Sequence, residues 1–244
     1  MPEQLTHYGS KISVFAQRTA IALREVNAEY TDCDVDFDNK PDWFFRASPV
    51  TTLVPVIAYG GPVAPPEQPS AESAKISESA VILEFIAELF PSAAGLLPKD
   101  PVKRAAARLF VKLLDTKLVP PQFAWMQDGA PPDEIFEVLQ TLQTLLPEDG
   151  QGKYAVGDEF TIADAALAPM WARIRLIVGK GIGAKEWGRE EHIAAASRAL
   201  ESPELARFVA YADRLLERPS VKATWYEDLN VVYWSKKAAA HAHE

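Results

Sequence analysis

The segment Gly9-Ser10-Lys11-Ile12-Ser13-Val14-Phe15-Ala16-Gln17-Arg18 reads as a strand end and a turn that run directly into a helix, which puts the Ser13 hydroxyl at a helix N-terminus. The first backbone N–H groups of a helix have no intrahelical partner, and the helix dipole presents its positive end there. An anion held at that point gains about 0.3–1 kcal/mol when exposed and more when partly buried. A serine so placed has two readings. It donates a hydrogen bond to a bound anion, or it only caps the helix, since Ser is among the preferred N-cap residues. Local sequence leaves both open. A second polar motif, Thr161-Ile162-Ala163-Asp164, has capping-box spacing, with Asp164 in place of the usual Glu or Gln; its role is structural and it is set apart from any active site.

Ser13 needs a strand before it and a helix after it. Residues 4–8 form a strand candidate, and residues 15–27 place Ala16, Ala20, Leu23 and Val26 close to helical spacing. Residues 30–35 and 54–59 read as two more strands, and residues 77–90 return to a helical period through Val81, Leu83, Phe85, Ile86 and Leu89. This order predicts a small α/β domain over residues 1–90. The Pro- and Gly-containing stretch 91–100 is a linker, and helical patterns at 102–126, 133–146, 162–178, 204–216 and 221–234 predict an all-helical domain over residues 101–244. A stretch between Tyr59 and Ser77 with Pro62, Pro65, Pro66 and Pro69 reads as an insertion of unassigned role, residues 60–76.

Composition narrows the functions. Among 244 residues, 34 Asp plus Glu against 25 Lys plus Arg give a formal charge of −9, and no basic cluster is interleaved with aromatics, so nucleic acid is not an expected partner. No stretch approaches the roughly 20 apolar residues of a membrane span, and the first six residues carry no secretory pattern, so no membrane partner is expected. The single cysteine, Cys33, excludes an intrachain disulfide and zinc sites built on cysteine pairs; a reducing, cytoplasmic setting is expected.

Three more segments follow in order: Asn39-Lys40-Pro41-Asp42-Trp43-Phe44-Phe45-Arg46-Ala47-Ser48-Pro49, then Leu53-Val54-Pro55-Val56-Ile57, then Glu78-Ser79. At these residues the chain resembles the glutathione transferases, and the Asn39 to Phe45 run is similar to the Omega class. The resemblance covers nearly the whole chain. It implies an α/β plus all-α fold, a thioredoxin-like N-terminal domain with a glutathione site followed by an all-helical C-terminal domain, and a homodimer. It also implies site residues. Ser13 occupies the position of the Omega-class nucleophilic cysteine and faces the glutathione sulfur, with Phe15 beside it. Lys40 meets the glycyl carboxylate, the Val54 backbone pairs with the cysteinyl part ahead of a cis Pro55, and Glu78 with Ser79 holds the γ-glutamyl end. The chemistry is coherent: a ligand with a carboxylate at each end and an ammonium at one needs a cation, an anion and backbone hydrogen bonds at separated points. No metal is implied.

Two departures from the Omega pattern matter. A serine hydroxyl at neutral pH is no useful attacker of mixed disulfides, so thioltransferase and dehydroascorbate-reductase activities are not expected. Ser13 still stabilises a glutathione thiolate by hydrogen bonding, the activating step for conjugation and for glutathione-dependent reduction of apolar electrophiles. Val14 stands where this family commonly has a proline, a change the helix start tolerates. The chain is similar to the serine-type fungal members associated with small aromatic, plant-derived compounds, which implies a second-substrate pocket between the domains; Phe123, Trp125, Met126, Trp171 and Arg175 are its candidate lining. Two alternatives to an enzyme follow from the same residues, a ligandin that stores aromatic molecules and a transferase-like interaction module.

Overall fold

The computed structural model describes residues 3–93, 95–148, 151–184, 188 and 190–241. A four-stranded sheet in the order β2-β1-β3-β4 is built from β1 (Leu5–Gly9), β2 (Thr31–Asp34), β3 (Val56–Tyr59) and β4 (Ala74–Ser77). β1 runs parallel to β2 and antiparallel to β3, and β3 is antiparallel to β4. Alternation along the strands splits the side chains between two faces. Leu5 and Ile57 join the main core under helices α1 (Val14–Glu25) and α3 (Ser79–Leu89), whereas Tyr8, Cys33, Val56 and Ala58 turn to a second, smaller core covered by the short helix α2 (Phe44–Ala47). The fold is α/β followed by all-α, with the small domain of thioredoxin-like form, as expected.

The sequence patterns miss α2 and β4. Each is four residues long, too short for any period to register, and β4 makes a strand of the last part of the stretch read above as an insertion. The remainder, residues 60–73, folds over the face that carries α2. Tyr8 Oη donates to Pro66 O at 2.8 Å, the Gln4 amide exchanges two hydrogen bonds with Ala64 at 2.9 and 3.0 Å, and Arg46 reaches Glu67 O at 3.5 Å. The segment is thus a cover for the second core. Tyr8→Phe should cost about 0.5–1.5 kcal/mol and quicken proteolytic cutting within residues 60–73; limited proteolysis at equal folded fraction checks it.

Cys33 lies in this second core, 9% exposed. Burial, reinforced by the carboxylates of Glu67, Asp32 and Asp34, pushes its thiol up to about 11.

The helical domain comprises α4 (Pro101–Leu113), α5 (Val119–Asp128), α6 (Asp133–Leu145), α7 (Ile162–Lys180), α8 (Glu190–Leu200), α9 (Ala206–Leu216), α10 (Pro219–Lys222) and α11 (Glu227–His241). α4 and α5 are one continuous rod with a widened π turn at Leu114–Leu118. Pro120 and Pro121 lack the N–H groups that would bond Thr116 and Lys117, and the turn just before them widens. The region read as one helix from residue 221 is two, because Thr224 Oγ1 bonds back to Ser220 O at 2.9 Å and ends α10. α8 escapes the sequence pattern altogether.

α7 is the buried axis of the domain. Its start is fixed by the Thr161–Asp164 capping box, in which fully buried Asp164 accepts from Thr161 N–H at 2.8 Å, Thr161 Oγ1 at 2.9 Å, Ala155 N–H at 2.9 Å and Tyr211 Oη at 2.8 Å. That anchoring matters for the site, because α7 packs along α1 and presents its carbonyls and Arg173 to the helix that begins at Ser13.

Candidate functional site

A cleft of about 320 Å³ opens between the sheet domain and the α4–α5 rod, lined among others by Phe15, Val54, Pro55, Glu78, Ser79 and Asp115. The β1–α1 turn feeds one side of it. Ser13 is the N-cap of α1 with extended backbone, φ −78° and ψ 122°, and its Oγ accepts the Ala16 N–H at 3.2 Å. The capping role is therefore real. It leaves the hydroxyl proton uncommitted: among the described residues nothing accepts it, and a hydroxyl that accepts a bond from a helix N–H is the stronger donor for it. Ser13 itself is 5% exposed and is not among the lining residues; Phe15, two positions on, is.

The Val54–Pro55 peptide is cis, as the family resemblance implies. Val54 lines the cleft, and its own N–H and C=O make no hydrogen bond to any described residue, so both are available to an extended ligand. Glu78 caps α3 with φ +72°, a left-handed setting that costs a non-glycine residue about 1–3 kcal/mol. It puts the Glu78 carboxylate and the N-terminus of α3 on the same cleft. Ser79, 7% exposed, accepts from Arg18 Nη1 at 3.4 Å.

Arg18 is the residue that sequence reasoning missed. Its side chain is fully buried, and Nη1 also meets Asp115 Oδ1 at 2.6 Å while Nε donates to Ala166 O at 3.0 Å. Burial pulls the guanidinium's pKa down and Asp115 pulls it back up. The bond between residues 18 and 115 ties α1 to the helical rod and puts a second carboxylate, Asp115, beside Ser79. One signal was present: Arg18 sits four residues after Val14 and three before Ile21, on the core-facing stripe of an otherwise apolar helix face.

Behind the turn lies a second buried guanidinium. Arg173 Nη2 donates to Ile12 O at 3.1 Å and Nη1 to Gln17 Oε1 at 2.5 Å and Pro169 O at 3.1 Å. The indole of Trp225 covers it, with the guanidinium carbon 5.1 Å from the ring centroid. Burial lowers its pKa to about 9, so it is charged at neutral pH.

The other expected residues are scattered. Lys40 does not line the cleft; its Nζ stands 5.9 Å over the Phe37 ring, which in turn meets Tyr233 of α11 edge-on at 6.2 Å, while Asp38 pairs with Lys237 at 3.5 Å. Phe123 does reach the site, stacked parallel to Phe15 with centroids 6.1 Å apart and planes 4° apart. Trp125, Met126 and Trp171 are 1%, 1% and 0% exposed and belong to the core, a correction to their reading as pocket lining. Trp125, two positions after Phe123, falls on another face of α5, Met126 packs into the bundle core, and Trp171 Nε1 is spent on Asp213 at 2.8 Å. Arg175 forms a fork with the same Asp213 and lines a different cleft, of about 300 Å³, between α7, α9 and α10 with Trp225.

With that geometry in place, comparison with known proteins is specific. Residues 12–89 match the family model for the glutathione S-transferase N-terminal domain and residues 132–214 that for the glutathione S-transferase C-terminal domain. The chain is 30% identical over 221 residues to glutathione S-transferase U24 of Arabidopsis thaliana, covering 90% of this chain and 88% of that one. Among solved structures it is similar to glutathione transferase Omega 1C from Trametes versicolor, 41% identical with a TM-score of 0.88 over 98% of both chains. Omega 2S of the same fungus, solved in complex with 2,4-dihydroxybenzophenone, is 37% identical with a TM-score of 0.84 over 96% of both.

Proposed function

The chain belongs to the glutathione S-transferase family, and from that premise we propose that it activates glutathione through Ser13 and adds the sulfur to apolar electrophiles. The observation that carries the proposal is the uncommitted Ser13 hydroxyl proton at a helix N-terminus beside Phe15. In the reaction the bound thiol loses its proton to solvent, Ser13 O–H donates to the resulting thiolate, and sulfur forms a bond to carbon as the leaving group departs or the double bond takes the electron pair. Serine keeps its own proton throughout.

Binding is divided along the cleft. The Val54 backbone pairs with the cysteinyl unit, Glu78 takes the γ-glutamyl ammonium, and Ser79 with the N–H groups of α3 takes the γ-glutamyl carboxylate. Arg18 and Asp115 hold Ser79 in place from below. Lys40, over the Phe37 ring and outside the cleft lining, meets the glycyl carboxylate only if its side chain swings from that ring toward the cleft. The Phe15–Phe123 stack is the apolar wall for the second substrate, a small aromatic molecule in keeping with the dihydroxybenzophenone bound by the Trametes relative. That complex is also the observation favouring a second reading, a ligandin in which the aromatic molecule is stored without turnover.

A glutathione-binding unit at residues 1–90, a linker at 91–100 and a helical unit at 101–244 complete the proposal, together with a cytoplasmic setting and a homodimer. Val81 on α3 and Leu109 on α4, 55% and 49% exposed, are apolar side chains that such a contact would cover. No metal enters. Among the described residues no group of three His, Cys, Asp or Glu is placed to hold one, and no helix is long and apolar enough to cross a membrane.

Calorimetric titration with glutathione, with thiolate ultraviolet absorbance followed against pH, tests the proposal. Binding with a depressed thiol pKa supports it; binding with an ordinary thiol pKa leaves the ligandin, and no binding refutes both. Glu78→Ala should weaken glutathione about fivefold, the worth of one partly exposed ion pair. Equal affinity in the same titration would remove Glu78 from the site.

A further inference from the structure

Buried cations are ordinarily paired, because an isolated charge in a protein interior is costly. Most charged groups near the Ser13 turn have a partner among the described residues. Lys11 in the turn is paired with Asp34, Arg18 on α1 with Asp115, Arg175 on α7 with Asp213, and Lys180 with Glu227 at the start of α11. Asp164, at the far N-terminal end of α7, is consumed by Thr161, Ala155 and Tyr211. Tyr226 lies beside Lys11, and Glu78 faces the cleft from α3. Fully buried Arg173 receives no carboxylate from any described residue: its acceptors are one side-chain amide and two backbone carbonyls, with Trp225 across its face and Nε without a partner.

One of those carbonyls is Ile12 O, in the very peptide that leads to Ser13. The guanidinium is therefore a full positive charge one peptide unit behind the serine, shielded from water and uncancelled. We propose that Arg173 is a positioning residue for the Ser13 turn and that its unpaired charge favours the glutathione thiolate held there, an inference that rests on the function proposed above. Ser13 supplies one hydrogen bond and the α1 terminus a partial charge; Arg173 adds a whole one that moves with neither ligand nor solvent. At an effective dielectric constant of about 20, a unit charge within about 10 Å of a thiolate lowers its pKa by about one unit or more.

Gln17→Glu separates charge from architecture. The new carboxylate is nearly the same shape as the amide and still accepts from Arg173, so the turn keeps its hydrogen bond while the field at the serine is cancelled. The thiol pKa of bound glutathione should rise by about one unit, with the affinity for S-methylglutathione, which has no thiol to ionise, unchanged within about twofold. Arg173→Lys, which retains the charge, should hold the thiol pKa within about half a unit of wild type, whereas Arg173→Met should raise it as Gln17→Glu does. Wild-type protein with a depressed thiol pKa that Gln17→Glu and Arg173→Met leave in place would overturn the assignment. So would a parallel loss of S-methylglutathione binding in Gln17→Glu, which marks a purely architectural role. A wild-type complex with an ordinary thiol pKa would instead sink the functional proposal, and this inference with it.

Discussion

Ser13→Ala should raise the thiol pKa of bound glutathione by one to two units and slow conjugation at neutral pH about ten- to a hundredfold. A hydrogen bond to a charged acceptor is worth roughly 1.5–3 kcal/mol, and each pKa unit corresponds to about 1.4 kcal/mol. The direction is fixed by chemistry: removing a donor that favours the thiolate leaves less thiolate at pH 7. The variant also loses the cap on Ala16 N–H, which costs about 0.5–2 kcal/mol of stability and not the fold. Thiolate absorbance against pH, turnover of a generic electrophile and a urea melt separate the two effects. A thiol pKa and turnover equal to wild type would reduce Ser13 to a cap. Ser13→Cys in the same assays should gain exchange with mixed disulfides, since a thiol at a helix N-terminus ionises readily and attacks sulfur with release of the partner thiolate.

The second large effect is an asymmetry across the Arg18–Asp115 pair. Asp115→Ala leaves a fully buried guanidinium with its counter-charge gone, a change of about 3 kcal/mol, or roughly 6–12 °C in Tm for a chain of this size. Arg18→Met removes the buried cation and leaves Asp115 with a side chain 33% exposed, which water can solvate. The arginine variant should therefore melt closer to wild type than the aspartate variant, although it deletes the larger group. Both should weaken glutathione, because Ser79 loses its support. Equal melting of the two variants would show that the pair carries no burial penalty.

Local signals in the chain were legible where one segment does the whole job. The Ser13 turn and the Thr161–Asp164 box each span a few residues, and the caps at Ser13 and Thr161 stand where their spacing put them, whereas the cis Val54–Pro55 bond was implied only by the family resemblance, since sequence alone favours trans. What stayed illegible depends on partners distant in sequence. Arg18 and Asp115 are 97 positions apart, and nothing in either neighbourhood names the other. Trp125, Met126 and Trp171 look like lining by composition, yet which side of α5 and α7 faces the cleft is decided by how the bundle packs. α2 and β4 are held by tertiary contacts over four residues each, below the length at which hydrophobic period speaks.

Cys33 sets how such a protein fares among the thiols it works with. With its pKa near 11, about one molecule in ten thousand carries the thiolate at pH 7, and the second core with its cover of residues 60–73 shuts out what little could react. The cysteine is thereby a poor exchange partner for oxidised glutathione, and under the proposed function the reactive sulfur is that of the ligand.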